Sequence, residues 1–168
     1  MKKFDDILKG GDLRSIGEAN NVVKEINNQD DFDNVFRGLF HSDRKVVMRT
    51  ADVIEKTTIQ NPKFLLKHKK EILALCNSVQ HIELKWHLAL FVSRLSLTEK
   101  ELGIVWQLLT KWATDNKESR IVRVNSLQSL YNLLHVNQEL EQDFKLTINE
   151  VTKDNIPSIN ARIRKFGK

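Results

Sequence analysis

The sequence has little of what many architectures and chemistries require. It holds one cysteine, Cys76, so no internal disulfide framework can form, and a reducing compartment is expected. Six glycines and two prolines among 168 residues are few for a turn-rich β architecture and favour long helices. The most apolar window, residues 84–97, is too short to span a bilayer and carries Lys85, His87 and Arg94. The opening MKKFDDILKGGD has no apolar core behind its lysines, so no signal peptide is expected and a cytoplasmic location is the default. Gly10-Gly11 lacks the Lys-Ser/Thr ending of a phosphate-binding loop.

Charge is uneven. Residues 1–43 carry 6 basic and 9 acidic side chains, residues 44–97 carry 10 and 4, and residues 98–168 carry 11 and 9. The basic middle permits an anionic partner without requiring one.

Apolar residues recur at helical spacing throughout, and no strand-like alternation interrupts them. The pattern predicts helices over 12–28, a short one after Asp30, then 44–59, 62–77, 81–96, 98–114, 118–135, 138–153 and 157–166. Ser15 with Glu18, and Thr98 with Glu101, have capping-box spacing, while Pro62 and Pro157 stand at helix starts. Phe64, Leu65, Ile72, Leu75 and Cys76 are expected inside, as are Trp86 and Trp106, with Trp112 partly exposed. Lys67-His68-Lys69-Lys70 reads as a solvated run.

The helices repeat. Val47-Met48-Arg49, Lys85-Trp86-His87 and Arg123-Val124-Asn125 fall in register at a spacing of 38, followed by Ala51, Ala89 and Leu127, then Ile54, Val92 and Leu130. The segment SINARIRKF gives a fainter fourth copy. The helix 80–97 sits in the middle of this series, with relatives on both sides. A 38-residue helix-pair period lies just below the HEAT range and just above that of tetratricopeptide repeats. Ile121-Val122-Arg123 with the apolar period after it, and the missing Trp, Gly and Tyr pattern of tetratricopeptide repeats, make it HEAT-like: an all-α, right-handed α-solenoid of about four helix pairs is expected. The expected organisation is a single domain over 1–168, with 1–11 flexible, a cap pair at 12–41 and another at 138–168.

Several short stretches match a known pattern in order: Leu13-Arg14-Ser15-Ile16-Gly17, Met48-Arg49-Thr50-Ala51-Asp52 with Glu55-Lys56, Lys85-Trp86-His87-Leu88-Ala89, Leu97-Thr98 with Glu101, Ile121-Val122-Arg123, and Ala161-Arg162-Ile163-Arg164-Lys165. In these the chain resembles a bacterial family of small HEAT-repeat proteins. It departs at Val47, where the resemblance leads one to expect arginine. The resemblance implies the solenoid fold and carries no established activity.

In such a solenoid the second helix of each pair lines the concave surface. The register places Arg49, His87 and Asn125 in one slot there, Asp52, Leu90 and Gln128 three residues on, and Lys56, Arg94 and Asn132 seven residues on. Positions i, i+3 and i+7 share one side of a helix, so these residues form a polar ladder. It reads as a groove for a protein partner. Equally, its members could face water or tie adjacent repeats together, contributing only about 0–1 kcal/mol per exposed ion pair. A nucleic-acid partner on the basic middle is the alternative, although the ladder offers no aromatic for base stacking.

An enzyme would need Asp52 or Glu55 close to His87 in an enclosed pocket. No catalytic set is legible, and a non-enzymatic scaffold is expected. His81, Glu83 and His87 supply too few ligands on one helix face for a metal, since only Glu83 and His87 have i,i+4 spacing. No cofactor, metal or membrane contact is expected.

Overall fold

The computed structural model describes residues 16–166, with side chains from Ala19 onward, and among these every regular element is helical. The predicted Ser15 cap and the flexible segment 1–11 lie outside the described residues. The chain divides into two compact units, one running to Lys70 and the other beginning at Glu71.

The first unit contains α1 (Ile16–Glu25), α2 (Gln29–Phe36) and α3 (Arg44–Gln60), with 3-10 turns at Arg37–Phe40 and Pro62–His68. Helix α3 is its centre, packing against α1, α2 and both turns. Its sequence explains this: Val46, Val47, Thr50, Ala51, Val53, Ile54, Thr57 and Thr58 are buried, covering more than one side of the helix. Asp43 starts it by accepting the Lys45 N–H at 2.8 Å, and Asn28 starts α2 by accepting the Asp31 N–H at 2.9 Å. The turn at Arg37–Phe40 approaches α3 so closely that a Cβ on Gly38 would lie 2.3 Å from Thr50 Oγ1. That position requires glycine for space.

The helix expected over 62–77 is split. Pro62–His68 is a 3-10 run, and α4 (Lys69–Ser78) follows it across the boundary between the units. Leu65 and His68, three apart and eclipsed in a 3-10 helix, are both buried. His68 stacks on Phe36 with ring centroids 3.8 Å apart and bonds Asp33 Oδ1 at 2.7 Å. Lys67 pairs with the other Asp33 oxygen. Half of the supposed solvated run is therefore structural.

The second unit contains α5 (Ile82–Val92), α6 (Glu99–Thr114), α7 (Arg120–Leu133), α8 (Glu141–Thr152) and α9 (Pro157–Ile163). Although α5 is the most apolar stretch in sequence, α7 is the hub: α5, α6 and α9 all pack on it. The reason lies in size as much as polarity. Ser126 and Ser129 are fully buried on α7 and let neighbours approach, while Leu127, Leu130 and Leu133 fill the space between. Truncating Leu127 or Leu130 to alanine removes about 2–5 kcal/mol of packing. The Thr98–Glu101 capping box forms as its spacing predicts, with the Thr98 N–H donating to Glu101 at 2.8 Å and the Glu101 N–H donating back at 3.3 Å.

Trp112 is buried rather than partly exposed, because the Lys85 ammonium lies over its ring, 5.0 Å from the centroid. Trp106 is buried as expected. Cys76 is buried too, and burial pushes its thiol up to about 12, leaving it inert near neutral pH. Phe166 stacks on Tyr131 at 4.5 Å and meets Phe144 edge-on, closing the far end of this unit.

Candidate interaction face

The ladder residues of the first unit all sit on α3. Arg49 is buried, 3% exposed, and so contributes to the unit's interior. Asp52 and Lys56, one turn apart, form an ion pair at 2.7 Å with about a third of each side chain exposed. Lys56 also donates to Asn20 on α1 at 3.0 Å. The polar side of α3 is thus a closed circuit, its cation held by its own carboxylate.

In the second unit His87 is buried on α5, its ring centroid 5.6 Å from that of Trp86 and 6.2 Å from that of Phe91. Arg94 stands half-buried in the turn that ends α5. Asn125 on α7 donates to the Trp86 carbonyl of α5 at 3.0 Å, tying the two helices together. Ser129 Oγ repeats the tie one turn later, 3.2 Å from Ser93 Oγ. Gln128 and Asn132 are half-buried and joined, the Gln128 amide donating to Asn132 Oδ1 at 2.8 Å. The ladder therefore has structural members, Arg49, His87 and Asn125, and half-exposed ones, Asp52, Lys56, Leu90, Arg94, Gln128 and Asn132.

One partner of this row escapes the 38-residue register. Arg162 on α9 donates from Nη1 to Gln128 Oε1 at 2.7 Å, and it lies 34 residues beyond Gln128. The four-residue difference is about one helical turn, so the side chain stays on the same face. The faint fourth copy in SINARIRKF is the signal that points to it.

Two further cations hold the second unit together. Arg123, only 1% exposed, donates to the Ala113 carbonyl at 2.8 Å and to Asp154 at 2.5 Å. Asp154 is presented by a turn in which Asn155 takes the left-handed conformation, φ 50°. Lys85, in register with Arg123, pairs with Glu118. Each cation thus reaches an acid in the connection leading to a later helix. The third register position is Val47, which is buried.

Among the described residues Asp33 is the carboxyl shifted furthest from its ordinary value. Burial raises its pKa, but hydrogen bonds from Lys67, Gln29 and His68 outweigh burial and hold it at about 2. A carboxylate held that firmly ionised is a poor proton carrier near neutral pH. In the second unit an open groove of about 580 Å³ runs along α6 and α8, with Lys111 and Asp143 as the charged side chains among the described residues lining it. Among the described residues no group of three His, Cys, Asp or Glu stands close enough to hold a metal ion. No helix of the described chain is long and apolar enough to cross a membrane.

Among the described residues every regular element is helical, and helices that recur in register define the all-α helical-repeat class to which α-solenoids belong. The HEAT repeat domain family matches residues 11–167, and the chain belongs to that family. Neither the curated proteins nor the solved structures provide a match to it. HEAT repeats commonly mediate protein–protein interaction, and the family is generally non-catalytic.

Proposed function

We propose that this chain is a non-enzymatic interaction scaffold, binding a protein partner along the polar face of the second helices. Asp52 and Lys56 on α3, and Arg94, Gln128 and Asn132 in the second unit, are the contact residues; Arg49, His87 and Asn125 set the helices that carry them. The observation that supports this best is the half-exposed row of Gln128, Asn132 and Arg162, whose hydrogen bonds run along the surface instead of into the core. A row of this kind is ordered before a partner arrives, so little side-chain entropy remains to be lost on binding.

The second reading is nucleic-acid binding by the basic middle, residues 44–97. Three of its ten cations, Lys56, Lys67 and Lys85, each face a carboxylate. That favours the protein reading, because phosphate binding draws on uncompensated charge.

The test is affinity capture from cell extract with wild type and with an Arg94→Glu/Asn132→Asp variant, followed by binding of the captured protein in purified form. A specific partner bound by wild type and lost by the folded variant supports the scaffold. Equal capture by both places the partner elsewhere and sinks the assignment of this face. Binding to an oligonucleotide that falls steeply with salt favours the second reading instead.

A further inference from the structure

The hydrogen bonds of α7 and α9 have a direction, and that direction restricts what they can bind. A guanidinium has N–H donors and no acceptor, so Gln128 must turn its carbonyl oxygen toward Arg162. The Gln128 amide nitrogen is then left facing Asn132, whose side-chain oxygen must accept. With that oxygen used, the Asn132 NH2 group is the outer end of the row. Each amide oxygen of Arg162–Gln128–Asn132 accepts a bond within the row, and both ends of the row are donors.

The charge agrees with the polarity. Among the described residues no carboxylate pairs with Arg162, and its one hydrogen-bond partner is the neutral Gln128 amide. The positive charge is therefore positioned without being neutralised, half-buried where water screens it less than on an open surface.

From this we infer that the row receives carboxylates: the partner presents an acidic peptide segment whose side chains accept from the Arg162 guanidinium and the Asn132 amide. This rests on the interaction-scaffold reading and names the chemistry of its partner. A carboxylate offers two oxygens in the plane of the guanidinium fork and suits a row that ends in donors. A nucleic acid fits the face less well. Its affinity draws on many phosphate contacts and on aromatic stacking, and the half-exposed row of Gln128, Asn132 and Arg162 supplies one cation and no aromatic ring.

Gln128→Glu is the diagnostic variant. Its carboxylate accepts from Arg162 and from the Asn132 NH2 group together, so both donor ends close on it and the charge is cancelled. The helix loses nothing in size. Asn132→Asp works from the other end, replacing the outer NH2 by an oxygen that repels an anion.

Fluorescence anisotropy with a labelled peptide of alternating Glu and Ala tests the inference on the full chain, beside the same peptide with Gln for Glu and a single-stranded oligonucleotide of similar length. Wild type should bind the Glu peptide saturably, with the Gln peptide and both variants at least about tenfold weaker. On titration of the Glu peptide, the Asn132 side-chain amide should shift in a proton–nitrogen correlation spectrum. Circular dichroism should show both variants as helical as wild type, and retained folding of either one suffices. Binding of the Glu peptide unchanged in a folded variant, an unmoved Asn132 amide, or tighter binding of the oligonucleotide at the same salt each overturns the inference. Absence of Glu-peptide binding while a captured partner still depends on Arg94 and Asn132 overturns it as well, and leaves the scaffold reading standing.

Discussion

Helices α3 and α7 are the hubs of their units and occupy the same register, yet their polar sides behave in opposite ways. On α3 the two slots hold Asp52 and Lys56, which neutralise each other at 2.7 Å. On α7 the same slots hold Gln128 and Asn132, which pass a hydrogen bond along the helix and leave donors at the ends. The interiors differ as well. Val47 packs as a hydrocarbon where Arg123 lies buried between a backbone carbonyl and Asp154. One repeat geometry therefore carries a self-contained helix in one unit and, in the other, a helix whose polar groups reach outward to its neighbours.

The strongest break of this contrast is at the buried cation. Arg123→Ala leaves Asp154 without its partner and the Ala113 carbonyl without its donor, and opens a void at the hub. Asp154 is a third exposed and regains water, so the void and the Ala113 carbonyl carry most of the loss, about 2–4 kcal/mol. Val47→Ala, at the matching position, removes two methyl groups from a core and should cost about 1–2 kcal/mol at roughly 0.8 kcal/mol per carbon. Urea denaturation of both variants checks the order, and equal losses would mean that Arg123 packs as a hydrocarbon does.

Gly38 and Gly103 extend the comparison with opposite signs. Gly38→Ala drives a Cβ to 2.3 Å from Thr50 Oγ1, so the turn must move away from α3, at about 1–3 kcal/mol for overpacking. Thr50→Ala should recover much of that loss, which a double-mutant cycle reads directly. Gly103, exposed within α6, has nothing within 4 Å of its Cβ position. Gly103→Ala should stabilise the chain by about 0.5–1 kcal/mol through helix propensity.

Acid should act on the first unit through Asp33. Its folded-state pKa of about 2 lies below the ordinary value of 3.8, so its contribution is present in full above that ordinary value. That contribution is lost as pH falls from about 4 toward about 2. Asp33→Asn should be less stable than wild type at neutral pH, with the gap closing across that window in thermal melts. A gap that stays constant with pH would show that Asp33 acts through shape and hydrogen bonding alone.

Much of the fold was legible because the signals were local. Apolar period, the Thr98–Glu101 box and the prolines at 62 and 157 place helices without knowledge of neighbours. The repeat register put the candidate residues on one side of each second helix, since register is a property of the sequence. What the register could not show was depth. Arg49, His87 and Lys56 look alike as polar letters, but burial depends on which neighbour covers them. Arg162 was obscured by a four-residue shortening of the last repeat, and the structural role of His68 by the lysines around it. Direction was also invisible: that Gln128 and Asn132 bond in series, with donors outermost, follows only once Arg162 is beside them.

The smallest stability effect tests the opening contrast most directly. Asp52 and Lys56 are about a third exposed, so their pair contributes no more than about 1 kcal/mol, and Asp52→Asn should change the melting temperature little. Its effect on binding should be larger than its effect on folding. The substituted amide can still accept from Lys56, as Asn20 does at 3.0 Å, but it no longer cancels the charge. The polar side of α3 then acquires the character of α7, an ordered cation whose partners are neutral amides. Affinity for the alternating Glu peptide should rise, and the increment should disappear at high salt as screening removes it. An Asp52→Asn chain that binds no better than wild type would show that neutralisation on α3 is not what separates the two faces, and the difference would lie in the Arg162 guanidinium alone.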